Sequence, residues 1–252
     1  MFLKFQNKSI PLKGKFLKKM RHIQHTTDKI STISNALQTA REEGIAVVVG
    51  QIPQHVRLIC FDMDSTIVKS ETINEIADTI GIGSKMKDLT LRAMEGKDDF
   101  RTSFIKRVKM LQGVPVSKLQ EIASSMPLAS GMKTLMKELH NKGIQSILIT
   151  GNFSIFGNFL KEKYNFTHVY TTIAEVKDGT LTGDICGDII DAPAKSSILI
   201  KICSEKNIPL ECTIAVGDGA NDIPMLCTAG TAIAYNAMSA KEGLDQVILP
   251  LL

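Results

Sequence analysis

The chain has 252 residues, of which 44% are hydrophobic and 22% charged, with a formal net charge of +4. These values are ordinary for a soluble globular protein that holds one large domain, or a domain with an insertion. No apolar run is long enough to span a bilayer, and the N-terminus lacks the apolar core of a secretory signal. The five cysteines form no Cys-x-x-Cys pair. We therefore expect a cytoplasmic protein without a disulfide framework or a cysteine zinc site.

The N-terminal segment carries most of the positive charge. Residues 1–29 hold eight Lys or Arg and one Asp, a net charge of +7, which leaves −3 for the rest of the chain. With its Phe, Leu and Met residues this segment suits an anionic membrane or nucleic-acid surface. A solvated extension packed loosely on the main domain is the plainer interpretation, and a cleaved transit peptide is a third. We expect no nucleic-acid partner, and keep peripheral membrane contact as the alternative.

The first half of the chain indicates a short N-terminal region, one buried strand and a long helical stretch. Helix spacing of apolar residues predicts a helix over 29–43 and a strand over 45–49, before the apolar strand Val56–Phe61. About sixty residues then read as helices, which is too long for a simple crossover between parallel strands. An inserted helical lid is the natural explanation. Its predicted helices span 72–80, 85–94, 100–111 and 116–124.

From residue 130 onward, strands and helices alternate as in a parallel α/β sheet. The dipeptide Asp178-Gly179 between two extended segments predicts a β-hairpin. The predicted helices are 131–142, 153–162 and 194–205, and the predicted strands are 145–149, 168–172, 181–185, 213–216, 232–235 and 246–249.

Two carboxylates, Asp62 and Asp64, follow the first buried strand. Residues at i and i+2 of an extended segment point the same way, so these side chains would converge if the extended geometry continues. In open α/β sheets the ligand crevice lies at the carboxyl ends of the strands. The plain alternative is a solvated acidic turn. A pair of acids held this close normally requires a cation, a division of acid and base roles, or both.

Three further positions carry suitable groups. Thr150-Gly151 follows a predicted strand and joins a hydroxyl to a glycine that lets a backbone N–H approach an oxyanion; Lys195 begins a predicted helix. The loop 217–222 adds two carboxylates and an amide. Each of these features also has a purely structural interpretation. Thr150-Gly151 could be an ordinary turn, Lys195 a surface lysine and the loop 217–222 a helix N-cap. Their joint occurrence in this order favours a functional site.

Together these groups suit phosphoryl transfer. Asp62 can attack phosphorus and form an aspartyl phosphate, while Asp64 can protonate the leaving alcohol and later deprotonate water. Asp62, the backbone carbonyl of Asp64 and Asp218 can bind Mg²⁺, which prefers oxygen ligands. Lys195, Thr150 and nearby amides would neutralise the phosphate oxygens.

The order Asp-x-Asp-x-Thr, Thr-Gly, Lys, Gly-Asp-Gly-x-Asn-Asp resembles the four motifs of the haloacid dehalogenase-like phosphatases. In finer detail residues 61–66, 71–77, 93–97, 100 and 106–108 resemble the phosphoserine phosphatases of that family. The resemblance covers roughly residues 56–250. It implies a Rossmann-like core over 56–68 and 127–252, a helical cap over 69–126 and a hairpin flap, with 1–55 left as a basic extension. It also implies Mg²⁺-dependent hydrolysis of O-phospho-L-serine in serine biosynthesis.

The same resemblance assigns the remaining site residues. Arg107 would bind the substrate carboxylate and Glu71 its ammonium group. The phosphate would contact Thr150, Gly151, Lys195 and Asn221, and the supporting residues would be Ser65, Thr66, Met94, Phe100 and Asp222.

One departure and three alternatives remain. The family usually has Ser-Gly-Gly where this chain has Thr150-Gly151-Asn152, which places a bulkier polar side chain beside the phosphate loop. The same motifs would also serve phosphotransfer to an alcohol such as homoserine, or hydrolysis of another small phosphomonoester. A third reading, without catalysis, makes the basic N-terminus a tether on a degenerate core, although the intact motifs count against degeneracy. We expect a monomer or a homodimer.

Overall fold

The computed structural model describes residues 20–23, 28–94 and 99–252, without the side chains of Met20, Ala93, Met94 and Phe100. In these residues eight strands form one sheet in the order β1-β2-β8-β7-β3-β4-β5-β6. The β2–β8 and β5–β6 pairs are antiparallel and the other neighbours are parallel. The strands are β1 Met20–Ile23, β2 Ala46–Gly50, β3 Leu58–Phe61, β4 Gln145–Phe153, β5 His168–Lys177, β6 Thr180–Cys186, β7 Thr213–Gly217 and β8 Thr231–Ala234.

Helices cover both faces of the sheet, because the central strands present apolar side chains on both sides. In β3, Leu58 and Cys60 belong to one apolar cluster and Ile59 and Phe61 to the other, as the alternation of side chains along a strand requires. The helices are α1 Lys29–Glu43, α2 Thr72–Thr79, α3 Gly83–Met94, α4 Phe100–Lys109, α5 Val116–Ser125, α6 Met132–Asn141, α7 Ser154–Tyr164, α8 Ala192–Glu205, α9 Ile223–Thr228 and α10 Leu244–Ile248. This arrangement confirms the predicted α/β fold with a largely parallel core.

Helices α2–α5 form the inserted cap, between β3 and α6. The α4–α5 connection of the cap is hydrogen-bonded to the β5–β6 hairpin, where the Gly113 amide donates to the Leu181 carbonyl at 2.8 Å and the Leu181 amide donates to the Val114 carbonyl at 2.9 Å. The hairpin turn has positive φ at both Asp178 (50°) and Gly179 (75°), as a type I′ turn requires. The predicted hairpin is therefore present, and it supports one side of the cap.

Residues 28–50 of the predicted N-terminal extension are built into the same sheet. Strand β2 pairs with β8 over Val47–Gly50, and α1 buries Ile33, Ala36, Leu37 and Ala40 in the apolar cluster that also contains residues of β3 and β7. The boundary predicted near residue 55 falls in the β2–β3 connection. The basic residues 1–19 lie outside the described residues.

The predicted strand over 246–249 is wrong, because Leu244–Ile248 is the helix α10. Leu244, Val247, Ile248 and Leu251 are buried, with the i, i+3, i+4, i+7 spacing of one helix face. A short apolar run does not distinguish a strand from a buried helix by itself. Within the described ranges, the helices are all too short or too polar to cross a membrane.

Candidate active site

The carboxyl ends of four neighbouring strands bring polar groups to one edge of the sheet. Asp62 directly follows β3, Asp218 follows β7 and Asn236 lies two residues beyond β8, while Thr150 lies within β4. The parallel registers align these ends, since Phe61 is paired with both Leu148 and Val216. The site therefore occupies the crevice that the sheet topology predicts.

A buried lysine joins two of the carboxylates. The Lys195 ammonium lies 2.6 Å from Asp62 Oδ1 and 2.7 Å from Asp222 Oδ1. Lys195 is only 1% exposed, although it stands in the first turn of α8. Burial lowers the pKa of Lys195, but the two carboxylates outweigh this and raise it above its ordinary value. The lysine is therefore a fixed cation between Asp62 and Asp222.

Asp222 shapes the loop that follows β7. Its Oδ2 accepts hydrogen bonds from the amides of Asp218 and Gly219, both at 3.1 Å. Gly217 is required by this packing, because a Cβ there would lie 2.5 Å from Asp222 Cγ. Since Lys195 engages the other oxygen, Asp222 holds the loop in place and leaves Asp218 facing the site. Asn221 is half-buried in the same loop.

Asp218 receives polar contacts from two elements that sequence reasoning missed. The Asn236 amide donates to Asp218 Oδ2 at 3.1 Å, and the Arg41 guanidinium of α1 lies 3.9 Å from the same oxygen. Arg41 also donates to the Asp218 carbonyl at 3.3 Å. Asn236 could have been predicted as a site residue, because it closely follows a buried strand. Arg41 could not, because it lies far from Asp218 in the sequence.

Asp64 lies in a turn, because β3 ends at Phe61 and the extended geometry does not continue. Its Oδ1 accepts from the Thr72 amide at 3.1 Å and from the Thr72 hydroxyl, and its Oδ2 accepts from Asn152 Nδ2 at 2.7 Å. Ser65 adopts the left-handed region with φ 53°, which helps the chain turn toward the cap. Asp64 is thereby held between the first cap helix and the core strand β4.

Asp62, Asp64 and Asp218 each have a raised pKa, because burial disfavours the charged carboxylate. Burial raises the pKa of Asp62 to about 7, with a further rise from Asp222 that Lys195 opposes. Burial also raises the pKa of Asp64 and, together with Glu71, Asp222 and Asp62, raises that of Asp218 well above its usual range. The negative charge exceeds what the neighbouring cations neutralise, so a further cation would be stabilised here.

The donor set fits a metal ion. Asp62, Asp218 and Asp222 each offer a carboxylate oxygen, and these oxygens lie within 4.8 Å of one another. Among the described residues, hydrogen bonds engage Asp62 Oδ1 and Asp218 Oδ2, which leaves the second oxygen of each available. Asp222 is already committed to Lys195 and to two amides. The cluster could therefore bind a metal through Asp62 and Asp218, both with the hard oxygen ligands that divalent cations such as Mg²⁺ prefer.

Glu71 and Arg107 belong to the cap side of the site. The Ser65 hydroxyl donates to Glu71 Oε1 at 2.7 Å, and burial followed by the charge of Asp64 raises the pKa of Glu71 to about 8. Arg107 is 5% exposed, and its Nη1 donates to the Thr90 hydroxyl at 3.2 Å. Its buried Nε has no hydrogen-bond partner among the described residues. An unpaired buried donor of this kind suits an anionic ligand group.

The structure describes only some of the remaining predicted site residues. Thr150 Oγ1 accepts from the Asn152 amide at 3.1 Å, across Gly151, and Thr66 is fully buried. The predicted cap contacts of Met94 and Phe100 fall on side chains outside the described residues. Thr72 and Thr90, which sequence reasoning missed, hold Asp64 and Arg107 respectively.

A family model of the haloacid dehalogenase-like hydrolases matches residues 56–230. The chain belongs to that family. The match begins just before β3 and includes all four motifs, the cap and the hairpin. The predicted family resemblance and the assignment of this hydrolase as an enzyme are thereby confirmed.

Several known proteins similar to this hydrolase are named phosphoserine phosphatases. One from Methanocaldococcus jannaschii is 42% identical over 190 residues, which are 75% of this chain and 90% of that protein. Another, from Archaeoglobus fulgidus, is 42% identical over 76% of this chain but only 55% of its own length. A solved structure described as a phospho-aspartyl intermediate analogue of phosphoserine phosphatase has a TM-score of 0.66 and 42% identity, covering 70% of this chain and 85% of that one.

Proposed function

We propose that this hydrolase converts O-phospho-L-serine and water to L-serine and phosphate, with Asp62 carrying the phosphoryl group and Mg²⁺ bound beside it. The observation that carries the proposal is the buried Lys195 between Asp62 and Asp222, next to the uncommitted oxygens of Asp62 and Asp218. The similar proteins named phosphoserine phosphatases support the substrate, and the phospho-aspartyl analogue of one of them supports the covalent step. We place the reaction in the cytoplasm, as a step of serine biosynthesis, in a monomer or homodimer.

Asp62 is the proposed nucleophile. It directly follows β3, and Lys195 contacts its Oδ1 at 2.6 Å. This oxygen would attack the phosphorus atom, while Oδ2, which no hydrogen bond among the described residues engages, would bind the metal. Attack forms an Oδ–P bond as the P–O bond to serine breaks. The positive charge of Lys195 favours the ionised form that attack requires, and a bound cation would favour it further.

Asp64 is the proposed acid and base. In its protonated state it transfers a proton to the serine oxygen as that oxygen leaves, and as a carboxylate it then accepts a proton from the water that attacks phosphorus. Its burial raises its pKa, which favours the protonated form needed for the first step. The two roles follow in sequence on one residue.

The Mg²⁺ ligands would be Asp62, Asp218 and the backbone carbonyl of Asp64. Bound there, the ion would neutralise charge on the transferring phosphoryl group. Asn236 and Arg41 orient the Asp218 carboxylate, and Asp222 fixes the loop on which it stands. Thr150, Gly151, Lys195 and Asn221 would bind the phosphate oxygens.

The amino-acid part of the substrate would lie against the cap. Arg107 would bind the α-carboxylate through a terminal nitrogen and through its Nε, which has no hydrogen-bond partner in the described part of the chain. Glu71 would pair with the α-ammonium group. That ammonium group would also lower the pKa of Glu71 from about 8, because an opposite charge favours the carboxylate. Ser65 and Thr90 hold these two side chains in place.

The test is phosphate release from phosphoserine, phosphothreonine, glycerol phosphate and 4-nitrophenyl phosphate, with Mg²⁺ or with EDTA. We expect phosphoserine to have the highest kcat/KM, and EDTA to abolish turnover. Asp62→Asn should reduce turnover by about a thousandfold or more, as loss of a nucleophile does in other enzymes. The matched control is Asp184→Asn, which neutralises an exposed carboxylate on β6.

Equal turnover of phosphoserine and simple alkyl phosphates would reject the proposed specificity. Full activity of Asp62→Asn would reject the covalent mechanism. Inclusion of homoserine separates hydrolysis from phosphotransfer, because transfer would yield phosphohomoserine at the expense of free phosphate.

A further inference from the structure

Asn152 contacts the proposed acid and base directly. It stands in β4, two residues after Thr150, and its Nδ2 lies 2.7 Å from Asp64 Oδ2. Asn152 is 7% exposed, so this hydrogen bond is shielded from water. A hydrogen bond between a neutral donor and a shielded carboxylate is among the stronger polar contacts in a protein.

The orientation of the Asn152 amide group is fixed by its own neighbours. Its Oδ1 accepts from the Phe153 amide at 2.7 Å, so the opposite atom, which faces Asp64, is the NH₂ group. The Asn152 backbone amide is held as well, by Thr150 Oγ1 at 3.1 Å. The side chain is therefore a rigid donor that points at Asp64.

We propose that Asn152 is a positioning residue that aims the Asp64 carboxyl group at the leaving oxygen of the substrate; the proposal rests on the proposed function. Thr72 holds Oδ1 from the cap and Asn152 holds Oδ2 from the core. With both oxygens held, the carboxyl group cannot rotate freely. An amide NH₂ only donates, so Asn152 orients Asp64 without accepting the proton that Asp64 must deliver.

The assisted step is the first half-reaction. Asp62 Oδ forms a bond to phosphorus, the P–O bond to the alcohol breaks, and the proton of Asp64 passes to the alkoxide oxygen. An alkoxide is a poor leaving group and needs this proton as it departs, whereas 4-nitrophenolate is a stabilised anion and needs it much less. Misorientation of Asp64 should therefore slow alkyl esters selectively.

The test compares Asn152→Gly with the wild type on phosphoserine and on 4-nitrophenyl phosphate in the presence of Mg²⁺. The quantity is kcat/KM, which covers the steps up to phosphorylation of Asp62 and is insensitive to later hydrolysis. For each substrate, the kcat/KM of the variant is divided by that of the wild type. Differences in how well the enzyme binds the two substrates then cancel. We expect a loss of about tenfold or more for phosphoserine, because Asp64 becomes a carboxylate as its proton leaves and the hydrogen bond from Asn152 is then one to a charged group. The loss for the aryl ester should be much smaller.

A second variant guards against disruption of the strand. Asn152→Leu keeps the volume of the side chain but removes the NH₂ group that donates to Asp64. We expect the same selective loss for phosphoserine. Asn158→Gly, on the neighbouring helix α7, is the control, because it removes the same side chain at a position that does not contact Asp64 among the described hydrogen bonds.

Equal losses on both esters would show a merely structural role and would overturn the inference, as would unchanged kcat/KM on both. If the wild type hydrolyses another alkyl phosphate and not phosphoserine, the proposed substrate fails, and the same comparison on that ester decides the role of Asn152. A wild type that hydrolyses no ester would overturn both proposals.

Discussion

At the scale of single residues, Lys195 is the group on which the site's electrostatics depend most. Its removal would leave Asp62 and Asp222 buried without their cation, and breaking a buried ion pair in this way costs about 3–5 kcal/mol. We expect Lys195→Met to lower the free energy of unfolding by about that amount. Lys201→Met on the same helix should cost less than about 0.5 kcal/mol, because its ion pair with Glu205 is exposed. Urea denaturation of both variants measures the difference, and equal losses would contradict it.

Arg107 is the residue whose substitution tests substrate recognition. Arg107→Ala should raise KM for phosphoserine about tenfold to a hundredfold, since a charge-assisted contact to the carboxylate is lost. 4-Nitrophenyl phosphate has no such carboxylate, so its KM should change much less. Lys106→Ala removes the adjacent exposed cation of α4 and serves as the control. A similar rise in KM for both esters with Arg107→Ala would argue against carboxylate recognition.

The sequence allowed the residues at strand ends to be predicted, because a buried strand and its polar end are both local patterns. Asp62 and Asp218 were found in this way, and the structure brings them together. Arg41 could not be found, because its neighbour Asp218 is 177 residues away in sequence and no local pattern links them. Asn152 departs from the family pattern, but its contact with Asp64 depends on how strand β4 and the turn after β3 meet in space.

At the scale of elements, α1 is a packed part of the sheet. Ile33 is 1% exposed against β2 and β8, whereas Ile30, one turn earlier, is 62% exposed. Ile33→Ala should lower the free energy of unfolding by about 2–4 kcal/mol through lost burial and a cavity, and Ile30→Ala by less than about 0.5 kcal/mol. Urea midpoints provide the measurement. If the two variants were equally stable, α1 would not be anchored as described.

Most helices and strands could be predicted because their apolar periodicity is long and regular. Helix α1 begins and ends at the predicted residues, 29 and 43. The failure at 246–249 has a physical cause, since a run of three apolar residues, Val247 to Leu249, suits a strand and a buried helix equally well. Contact with α6, which the local sequence does not encode, selects the helix α10.

At the scale of the whole molecule, the buried carboxylates link metal binding to stability and pH. Burial raises the pKa of Asp62 from 3.8 to about 7 and that of Asp218 well above 3.8. Without metal, the folded chain binds more protons than the unfolded chain once the pH exceeds about 4, so these groups lower stability as the pH rises toward and through 7. Mg²⁺ at the proposed site would compete with these protons, so its binding would be favoured at higher pH.

We therefore expect Mg²⁺ to raise Tm, and to raise it more at about pH 8 than at about pH 6. Differential scanning calorimetry with and without Mg²⁺ at the two pH values measures the effect. Asp218→Asn should lose most of the Mg²⁺-dependent shift. A larger shift at the lower pH would contradict the assignment of these carboxylates as metal ligands.

The two Thr72 contacts with Asp64 make the cap and the chemistry interdependent. Thr72 is the first residue of the first cap helix, and it supplies two of the three donors to that carboxylate. An outward rotation of α2 would lengthen both contacts. Asp64, the proposed proton donor, would then be held by Asn152 alone among the described residues. Full alignment of the Asp64 carboxyl group therefore requires the first cap helix to lie where the structure has it.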